Sequence, residues 1–451
     1  MEALRPGRRN ATSSDGGTRR DLVAAAAAAA LVVVAVLVGR YIEDRHGTLH
    51  VNWPPLYARW YPHMGVGTPA AVCVAVLVVG YGPLVAARLR WRMLLPAVWA
   101  ASAAWTFSLA LVDGWQQGIA GRLTTPYEYL TVIDRFGNVG ATLRDFTRHI
   151  LLHSPGHWPP HVAGHPPAAT LTFVALDRIG LGGGGWAGVW CITVGCTASV
   201  AVLVAVRALA GEELARRAAP YLVLAPAAVW VGTSADGYFA AVAAWSVALL
   251  TVAATRDSRT AALGSGFLFG LTCYLSYGLT LIALVGAAVL VVARTVRPLP
   301  LFLVGAAVVP VAFTLAGFDW WEAYRLLTRR YYEGAGGVRP YGYWVWANLA
   351  CTVLIVGLAA VAGLRRVPGR VLRARAEPEG RLATVVLGAA FALLAADLSG
   401  MSKAETERIW LPFAVWLLAA TALLPERWRR GWLTTQAMLA LAVNHLLFTG
   451  W

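Results

Sequence analysis

Five of the nine histidines lie in the stretch 114–165, together with three acidic residues, and this stretch separates two strongly apolar parts of the sequence. Glu128 lies near its middle, Asp134 follows, and the stretch closes with His161-Val-Ala-Gly-His165-Pro166-Pro167. A carboxylate held beside a hydroxyl group can take its proton as a general base. Glu128 is therefore the first candidate for a catalytic base and Asp134 the second. The alternative is a loop at the membrane interface with solvated charges.

Cations that could hold a phosphate group lie in the stretch 398–408. Lys403 and Arg408 occur there, with Glu405 between them. Arg408 is the better candidate, because a planar guanidinium group can bind phosphate through two parallel hydrogen bonds. The alternative is that Glu405 and Arg408, three residues apart on a helix, pair with each other.

Three further charged residues are candidates for substrate binding. Arg329 and Arg330 lie in the aromatic-rich stretch 318–343, where they could meet a phosphate group or simply belong to an aromatic belt at the membrane interface. Asp236 lies between two apolar blocks. An ionisable group at the edge of a membrane segment is costly and is a functional candidate, although a solvated turn aspartate is an equal alternative.

The composition indicates which elements must position these residues. Of 451 residues, 58% are hydrophobic and 14% are charged, whereas soluble domains carry about 25% charged residues. Apolar blocks such as 22–38 approach the roughly 20 residues that cross a membrane. The sequence therefore predicts an all-α polytopic membrane protein with about 12 to 14 transmembrane helices. It excludes a soluble enzyme, a disordered protein and a secreted disulfide scaffold.

The net charge of +15 comes from short basic clusters between the apolar blocks. Such clusters orient membrane segments and meet anionic lipid headgroups, so we expect membrane lipids and no nucleic acid as partners. They predict a disordered basic cytoplasmic tail at 1–20 and one membrane domain over 21–451. Within that domain they predict a cytoplasmic basic loop at 365–381 and external loops at 114–166, 318–343 and 398–408. The largest external loop should carry short amphipathic interfacial helices.

The segment 167–181 leaves the number of crossings open. If it crosses the membrane, every later loop changes sides and conflicts with the positions of the basic clusters. Either this segment is re-entrant, or one of the short apolar blocks between 187 and 254 does not cross.

Metal and nucleotide chemistry receive little support. Histidines recur every four residues from His149 to His165, but Pro155, Pro159 and Pro160 prevent one continuous helix from presenting them together. The sequence also lacks a phosphate-binding glycine loop, which argues against an ATP-driven pump. We therefore expect no cofactor and assign no metal ligands. A divalent-metal site formed by folding of the loop stays an alternative.

The long external loop that ends in His165-Pro166-Pro167, with Glu128 and Asp134 upstream, resembles the GT-C superfamily of integral-membrane glycosyltransferases. The later Glu405-x-x-Arg408-x-Trp410 is also similar to late-helix motifs of bacterial members. The resemblance implies a polyprenyl-phosphate-linked sugar as donor and a glycan, lipid or protein as acceptor. It implies that Arg408 and Lys403 hold phosphate and that His165 shapes the site. Unlike the family, this sequence places the acidic loop after its third apolar segment.

The abundance of alanine, arginine and glycine suggests a bacterial plasma membrane, with the amino terminus in the cytoplasm. A secondary transporter or flippase is the alternative function, with Asp236 and Asp397 inside the bundle. A transporter needs such charges near the middle of the membrane, beside broken helices. The long external loop and the lack of an internal repeat favour the enzyme.

Overall fold

In a computed structural model, the described residues are 9–373 and 376–450, with side chains from residue 16 onward. They form an α-helical bundle with one short antiparallel pair of strands, β1 (Ala58–Trp60) and β2 (Leu447–Thr449). In chain order, the α-helices are α1 Arg9–His46, α2 Thr68–Arg88, α3 Trp91–Ala110, α4 Val139–Asp145, α5 Pro160–Gly164, α6 Ala168–Arg178, α7 Gly184–Gly195, α8 Thr197–Ala210, α9 Glu212–Val223, α10 Ala228–Val231, α11 Ala235–Arg256, α12 Arg259–Leu275, α13 Ala283–Ala293, α14 Leu299–Leu315, α15 Trp320–Glu333, α16 Ala335–Val338, α17 Tyr341–Leu364, α18 Val367–Arg373, α19 Pro378–Leu398, α20 Thr406–Ile409, α21 Leu411–Leu417 and α22 Arg429–Leu446. Short 3-10 or π turns lie at Leu111–Asp113, Gln116–Ala120, Arg122–Thr124, Tyr129–Phe136, Phe146–His149, Tyr277–Ile282, Leu418–Leu423 and Glu426–Trp428.

Long apolar helices confirm the prediction of an all-α, multi-pass membrane protein. Among the described residues, seven helical segments are long and apolar enough to cross a membrane, or eight if α14 and α15, bent by 79°, count as one. The seven are Gly16–His46, Thr68–Arg88, Trp91–Asp113, Gly184–Ala210, Ala235–Arg256, Tyr341–Arg373 and Pro378–Leu398.

The predicted total of 12 to 14 crossings exceeds the seven or eight segments that are long enough, and shorter helices supply one further passage through the bundle. Arg216 of α9 donates to the carbonyl oxygen of Leu89, just before α3, at 2.8 Å. Thr233, beyond α10, donates to the carbonyl oxygen of Gly118, beyond the other end of α3, at 2.9 Å. Because the 20 residues of α3 extend about 30 Å, the chain between these contacts passes from one end of the bundle to the other. The full count stays a prediction.

Helix α6 settles the segment 167–181. It contains 11 residues, which extend about 16 Å and cannot cross a hydrocarbon core of about 30 Å. The segment therefore turns back, while α7 and α8 together supply a 27-residue crossing segment.

The predicted disordered tail is wrong for residues 9–20, which belong to α1; residues 1–8 lie outside the described part of the chain. An ion-pair cluster explains why this end of the helix is ordered. Asp21 is fully buried and accepts hydrogen bonds from Arg365, at 2.7 Å, and from Arg366. The basic loop 365–381 thus fixes α1; within that loop, residues 374 and 375 also lie outside the description.

The stretch 114–166 forms short helices, as predicted, and covers one end of the bundle. Its apolar residues are buried around Trp158, whose ring lies 5.2 Å from that of Phe146 and 5.9 Å from that of Phe136. Arg330 of α15 donates to the carbonyl oxygens of Ile150, at 2.5 Å, and Trp158, at 2.9 Å. These contacts fix the stretch over the helix ends where α11 and α20 begin.

Candidate active site

Glu128 and His161 form a buried pair within the stretch 114–166. Glu128 precedes the turn Tyr129–Phe136 and is 7% exposed, while His161 lies in α5, whose first turn is set by Pro160. The Oε1 atom of Glu128 lies 2.7 Å from Nδ1 of His161. Its Oε2 atom is buried and has no hydrogen-bond partner among the described residues. One carboxylate oxygen is therefore fixed by the protein, and the other remains available to a reacting group.

Arg408 connects this pair to two further carboxylates. Its Nη1 atom lies 2.5 Å from Oδ2 of Asp236, at the start of α11. Its Nη2 atom lies 2.9 Å from Oε2 of Glu405 and 3.0 Å from Nε2 of His161. The guanidinium group is 5% exposed, so its charge is balanced by buried carboxylates rather than by water.

The contacts of His161 determine where its ring proton lies. Arginine donates hydrogen bonds and accepts none, so Nε2 of His161 accepts from Arg408. The proton is therefore on Nδ1, which donates to Glu128. A neutral His161 thus links the carboxylate of Glu128 to the guanidinium group of Arg408.

The local charges favour the ionised form of Glu405. Burial alone would raise the pKa of its carboxyl group, but Arg408 and Arg339 more than offset this, and its pKa lies below the ordinary value. Burial would likewise lower the pKa of Arg408, and the surrounding carboxylates Asp236, Glu405 and Glu128 raise it above its usual value. Both groups therefore stay charged at neutral pH.

A small polar cavity lies between this network and Arg122. Its lining includes Glu128, Asp236, Arg408, Ser234 and Arg122. Gly450, which follows β2, also lines it. The cavity thus brings together a carboxylate with an available oxygen and two arginines, which is the set of groups needed to move a proton and hold an anion.

His165 lies beside the site rather than in the cavity lining. Its Nδ1 atom lies 2.8 Å from the carbonyl oxygen of His161 and 3.0 Å from the hydroxyl oxygen of Tyr129. A carbonyl oxygen only accepts, so Nδ1 carries the proton and fixes the backbone of His161.

The neutral state of His165 predicts a pH dependence of stability. Burial lowers its pKa to about 4, despite the opposing effect of Asp236, whereas an unfolded histidine titrates near 6.5. Between these values the unfolded chain binds a proton that the folded chain does not. Stability should therefore fall as pH falls from about 6.5 to 4, and His165→Gln should make the fall shallower. Apparent melting temperatures at several pH values test this; equal slopes in both proteins contradict it.

The structure brings together four of the predicted residues, namely Glu128, Asp236, Glu405 and Arg408. Asp134 does not join them, because its side chain is exposed at the end of the turn Tyr129–Phe136. The two interpretations of Glu405 and Arg408, as an ion pair on one helix and as part of the site, are compatible. The two residues pair at i and i+3, and the pair lies within the site.

The other three predicted cations lie outside the cavity. Lys403 donates to the carbonyl oxygen of Gly336 at 2.8 Å and fixes the short helix α16. Arg330 is committed to two backbone carbonyl groups, and Arg329, with a 67% exposed side chain, pairs with Glu333 at 2.7 Å. Placing these three cations at a phosphate group is therefore not supported by their contacts.

Sequence reasoning missed His161 and Arg122 as site residues. His161 stands in the same motif as His165, and its position one residue after the Pro159-Pro160 pair was a usable signal. Arg122 has no motif around it. Two hydrogen bonds hold Arg122 at the site. Its Nη2 atom lies 2.9 Å from Oδ2 of Asp113, and its Nη1 atom lies 2.8 Å from the carbonyl oxygen of Thr449.

A metal site has no structural support in the part of the chain that is described, where no three histidine, cysteine or acidic side chains form a metal-binding group. Asp397, the alternative intramembrane charge, accepts from Asn348 at 2.9 Å close to the end of α19. It does not contribute to the cavity lining.

Comparison with known proteins finds related folds among solved membrane enzymes. The apo oligosaccharyltransferase from Archaeoglobus fulgidus aligns with a TM-score of 0.51 at 14% identity, over 79% of this chain and 56% of that chain. Apo ArnT from Cupriavidus metallidurans aligns with a TM-score of 0.46 at 17% identity, over 75% and 60%. ArnT bound to undecaprenyl phosphate gives 0.45 at 16% identity, over 75% and 61%.

No family model and no curated protein matches the sequence. The chain spans a little over half the length of the oligosaccharyltransferase. At this level of identity the likeness concerns the fold, and the site must be interpreted from its own residues. The chain therefore shares its all-helical membrane fold with the oligosaccharyltransferase from Archaeoglobus fulgidus.

Proposed function

We propose that this protein is a membrane glycosyltransferase that moves a sugar from a polyprenyl-phosphate donor to an acceptor hydroxyl group on the outer face of a bacterial plasma membrane. The observation that carries the proposal is the buried carboxylate of Glu128, with one oxygen fixed by His161 and the other unpartnered among the described residues. Glu128 lines a cavity that is also lined by Arg122 and Arg408. The GT-C fold is consistent with this chemistry.

The proposed reaction breaks the bond between the anomeric carbon and the phosphate oxygen and forms a bond from that carbon to the acceptor oxygen. Glu128 takes the acceptor's proton on Oε2 as the new bond forms. The polyprenyl phosphate leaves with the bonding electron pair. The transition state carries positive charge on the sugar, which the carboxylates of Asp236 and Glu405 stabilise electrostatically.

The position of the charges supports an enzyme rather than a transporter. Asp236 is the second residue of α11, and Asp397 is the second-last residue of α19. Both therefore lie at helix ends, whereas a transporter needs such charges near the middle of the membrane. The buried network of Asp236 also involves a loop residue, Glu405, which fits a site at the membrane surface.

Donor turnover by the purified protein tests the proposal. The full chain, in lipid nanodiscs, is incubated with radiolabelled polyprenyl-phosphate mannose, glucose or arabinose and with an envelope extract as a mixture of acceptors. We expect protein-dependent loss of label from at least one donor and its appearance in an acceptor. Donors that are bound but never consumed, or that move across the bilayer intact, would overturn the proposal in favour of a flippase.

A further inference from the structure

Arg122 and Arg408 both line the cavity, but their electrostatic surroundings differ. Arg408 contacts Asp236, Glu405 and, through His161, Glu128. These three carboxylates and one guanidinium group sum to about −2. Arg339, 3.7 Å from Glu405, reduces this to about −1. This wall of the cavity is therefore negative, which is unfavourable for a second anion.

The wall that carries Arg122 is less negative, because Arg122 faces a single carboxylate, that of Asp113. The Nδ1 atom of His63 lies 2.7 Å from the carbonyl oxygen of Tyr61, and its Nε2 atom lies 2.7 Å from Oδ1 of Asp113. Arg122 contacts Oδ2, the other oxygen of Asp113, at 2.9 Å. Asp113 therefore divides its two carboxylate oxygens between His63 and Arg122.

Arg122 and Asp113 form a neutral ion pair. Because His63 occupies one carboxylate oxygen of Asp113, Asp113 does not serve Arg122 alone. The ring of Phe448 in β2 lies 5.0 Å from the guanidinium carbon of Arg122 and holds it in place. The Arg122 side of the cavity is therefore close to neutral, whereas the Arg408 side is negative.

Arg122, which lines the cavity, also retains one hydrogen-bond donor that no described residue uses. Arg122 is 9% exposed. Its Nη1 atom donates to the carbonyl oxygen of Thr449, and its Nη2 atom donates to Oδ2 of Asp113. Its Nε atom is buried and has no hydrogen-bond partner among the residues that the structure describes. Leaving such a donor unsatisfied costs about 1–3 kcal/mol or more for a charged group, so an anion that accepts from it is favoured.

We infer that Arg122, rather than Arg408, receives the phosphate group of the ligand. This rests on the proposed function for the identity of that ligand, a phosphate ester of a polyprenol. The departing phosphate would gain negative charge beside Arg122, while the sugar gains positive charge beside Asp236 and Glu405. Arg408 then acts as a positioning residue, which fixes His161 and the two carboxylates.

Binding of a polyprenyl phosphate tests this assignment without requiring turnover. The full chain in nanodiscs is titrated with radiolabelled polyprenyl phosphate, with the matching polyprenol, and with inorganic phosphate as a competitor. Arg122→Gln should weaken binding of polyprenyl phosphate about tenfold or more, as expected for loss of charge-assisted hydrogen bonds, and leave binding of polyprenol unchanged. Competition by inorganic phosphate at millimolar concentration would identify free phosphate as a second source of the same group; its absence would assign the site to the lipid.

Three further variants separate this role from damage to the fold. Arg122→Lys keeps the charge and should retain part of the affinity. Asp113→Asn removes the anion that competes for Arg122 and should tighten binding a few-fold, which a damaged protein cannot imitate. Arg329→Gln removes an exposed cation outside the cavity and should bind as the wild type does. Unchanged affinity in Arg122→Gln, or weaker binding in Asp113→Asn, overturns the assignment.

The outcomes also separate this inference from the proposed function. Sugar transfer by the wild type with unchanged lipid binding in Arg122→Gln would refute the phosphate site and leave the enzyme intact. Arg122-dependent binding of polyprenyl phosphate without any transfer would refute the enzyme and keep the site. A wild type that binds polyprenyl phosphate no better than polyprenol would refute both.

Discussion

Glu128→Gln should reduce the rate of sugar transfer by about a thousandfold, the middle of the range for loss of a general base. Glutamine keeps the size of the side chain, and its carbonyl oxygen can still accept the hydrogen bond from Nδ1 of His161. It cannot take a proton from an acceptor hydroxyl group. The expected change is therefore in kcat, with donor affinity and folding close to those of the wild type.

Asp134→Asn is the matched control for this variant. Asp134 lies six residues away in the same stretch, 114–166, but its side chain is exposed and outside the cavity. Its transfer rate should stay within about twofold of the wild type, as expected of a surface substitution. Initial rates and donor binding are compared for the three proteins in nanodiscs. A Glu128→Gln protein with more than about a tenth of wild-type kcat would place the base elsewhere.

Arg408→Met should cause the largest loss of stability. The substitution leaves Asp236 as a buried carboxylate without its cation, and leaves the partly buried Glu405 with only Arg339, 3.7 Å away. Removing one partner of a buried ion pair costs about 3–5 kcal/mol, because the remaining charge is uncompensated. A clear drop in apparent melting temperature is expected, measured by the intrinsic fluorescence of the purified protein.

A double variant shows whether this loss comes from the stranded charge. Adding Asp236→Asn removes one unpaired carboxylate, so the double variant should be more stable than the sum of the single effects predicts. Arg330→Met is the control, since Arg330 is also buried but donates to neutral carbonyl groups of Ile150 and Trp158. It should lose less stability than Arg408→Met. Equal losses in these two variants, or strict additivity in the double variant, would show that charge pairing is not the cause.

Composition alone determined the class of this protein. With 58% hydrophobic and 14% charged residues, the chain can satisfy its backbone in a membrane only as helices. The prediction of an all-α, multi-pass bundle depended on that, and it is confirmed by the long apolar helices. The stretch 114–166 was also recognisable as distinct, because its mixture of charged and apolar residues differs from the segments on either side.

Local spacing predicted part of the site. Glu405 and Arg408 stand at i and i+3, and they pair as this spacing suggests. Glu128 was chosen because it lies in an external acidic stretch, and it is buried beside the cavity. The same reasoning could not separate Glu128 from Asp134, since exposure depends on which side of a short turn faces the bundle. It also gave Lys403, Arg329 and Arg330 a phosphate role that their contacts do not support.

Only the tertiary structure decided which charges meet. Arg408 contacts Asp236 across 172 residues and His161 across 247 residues, and no local pattern encodes such separations. Burial makes these contacts important for stability, because a buried charge without a partner is costly whereas an exposed charge is solvated by water. Helix packing therefore turned residues with similar sequence signals into one buried network, a second cluster around Arg122, and several surface cations.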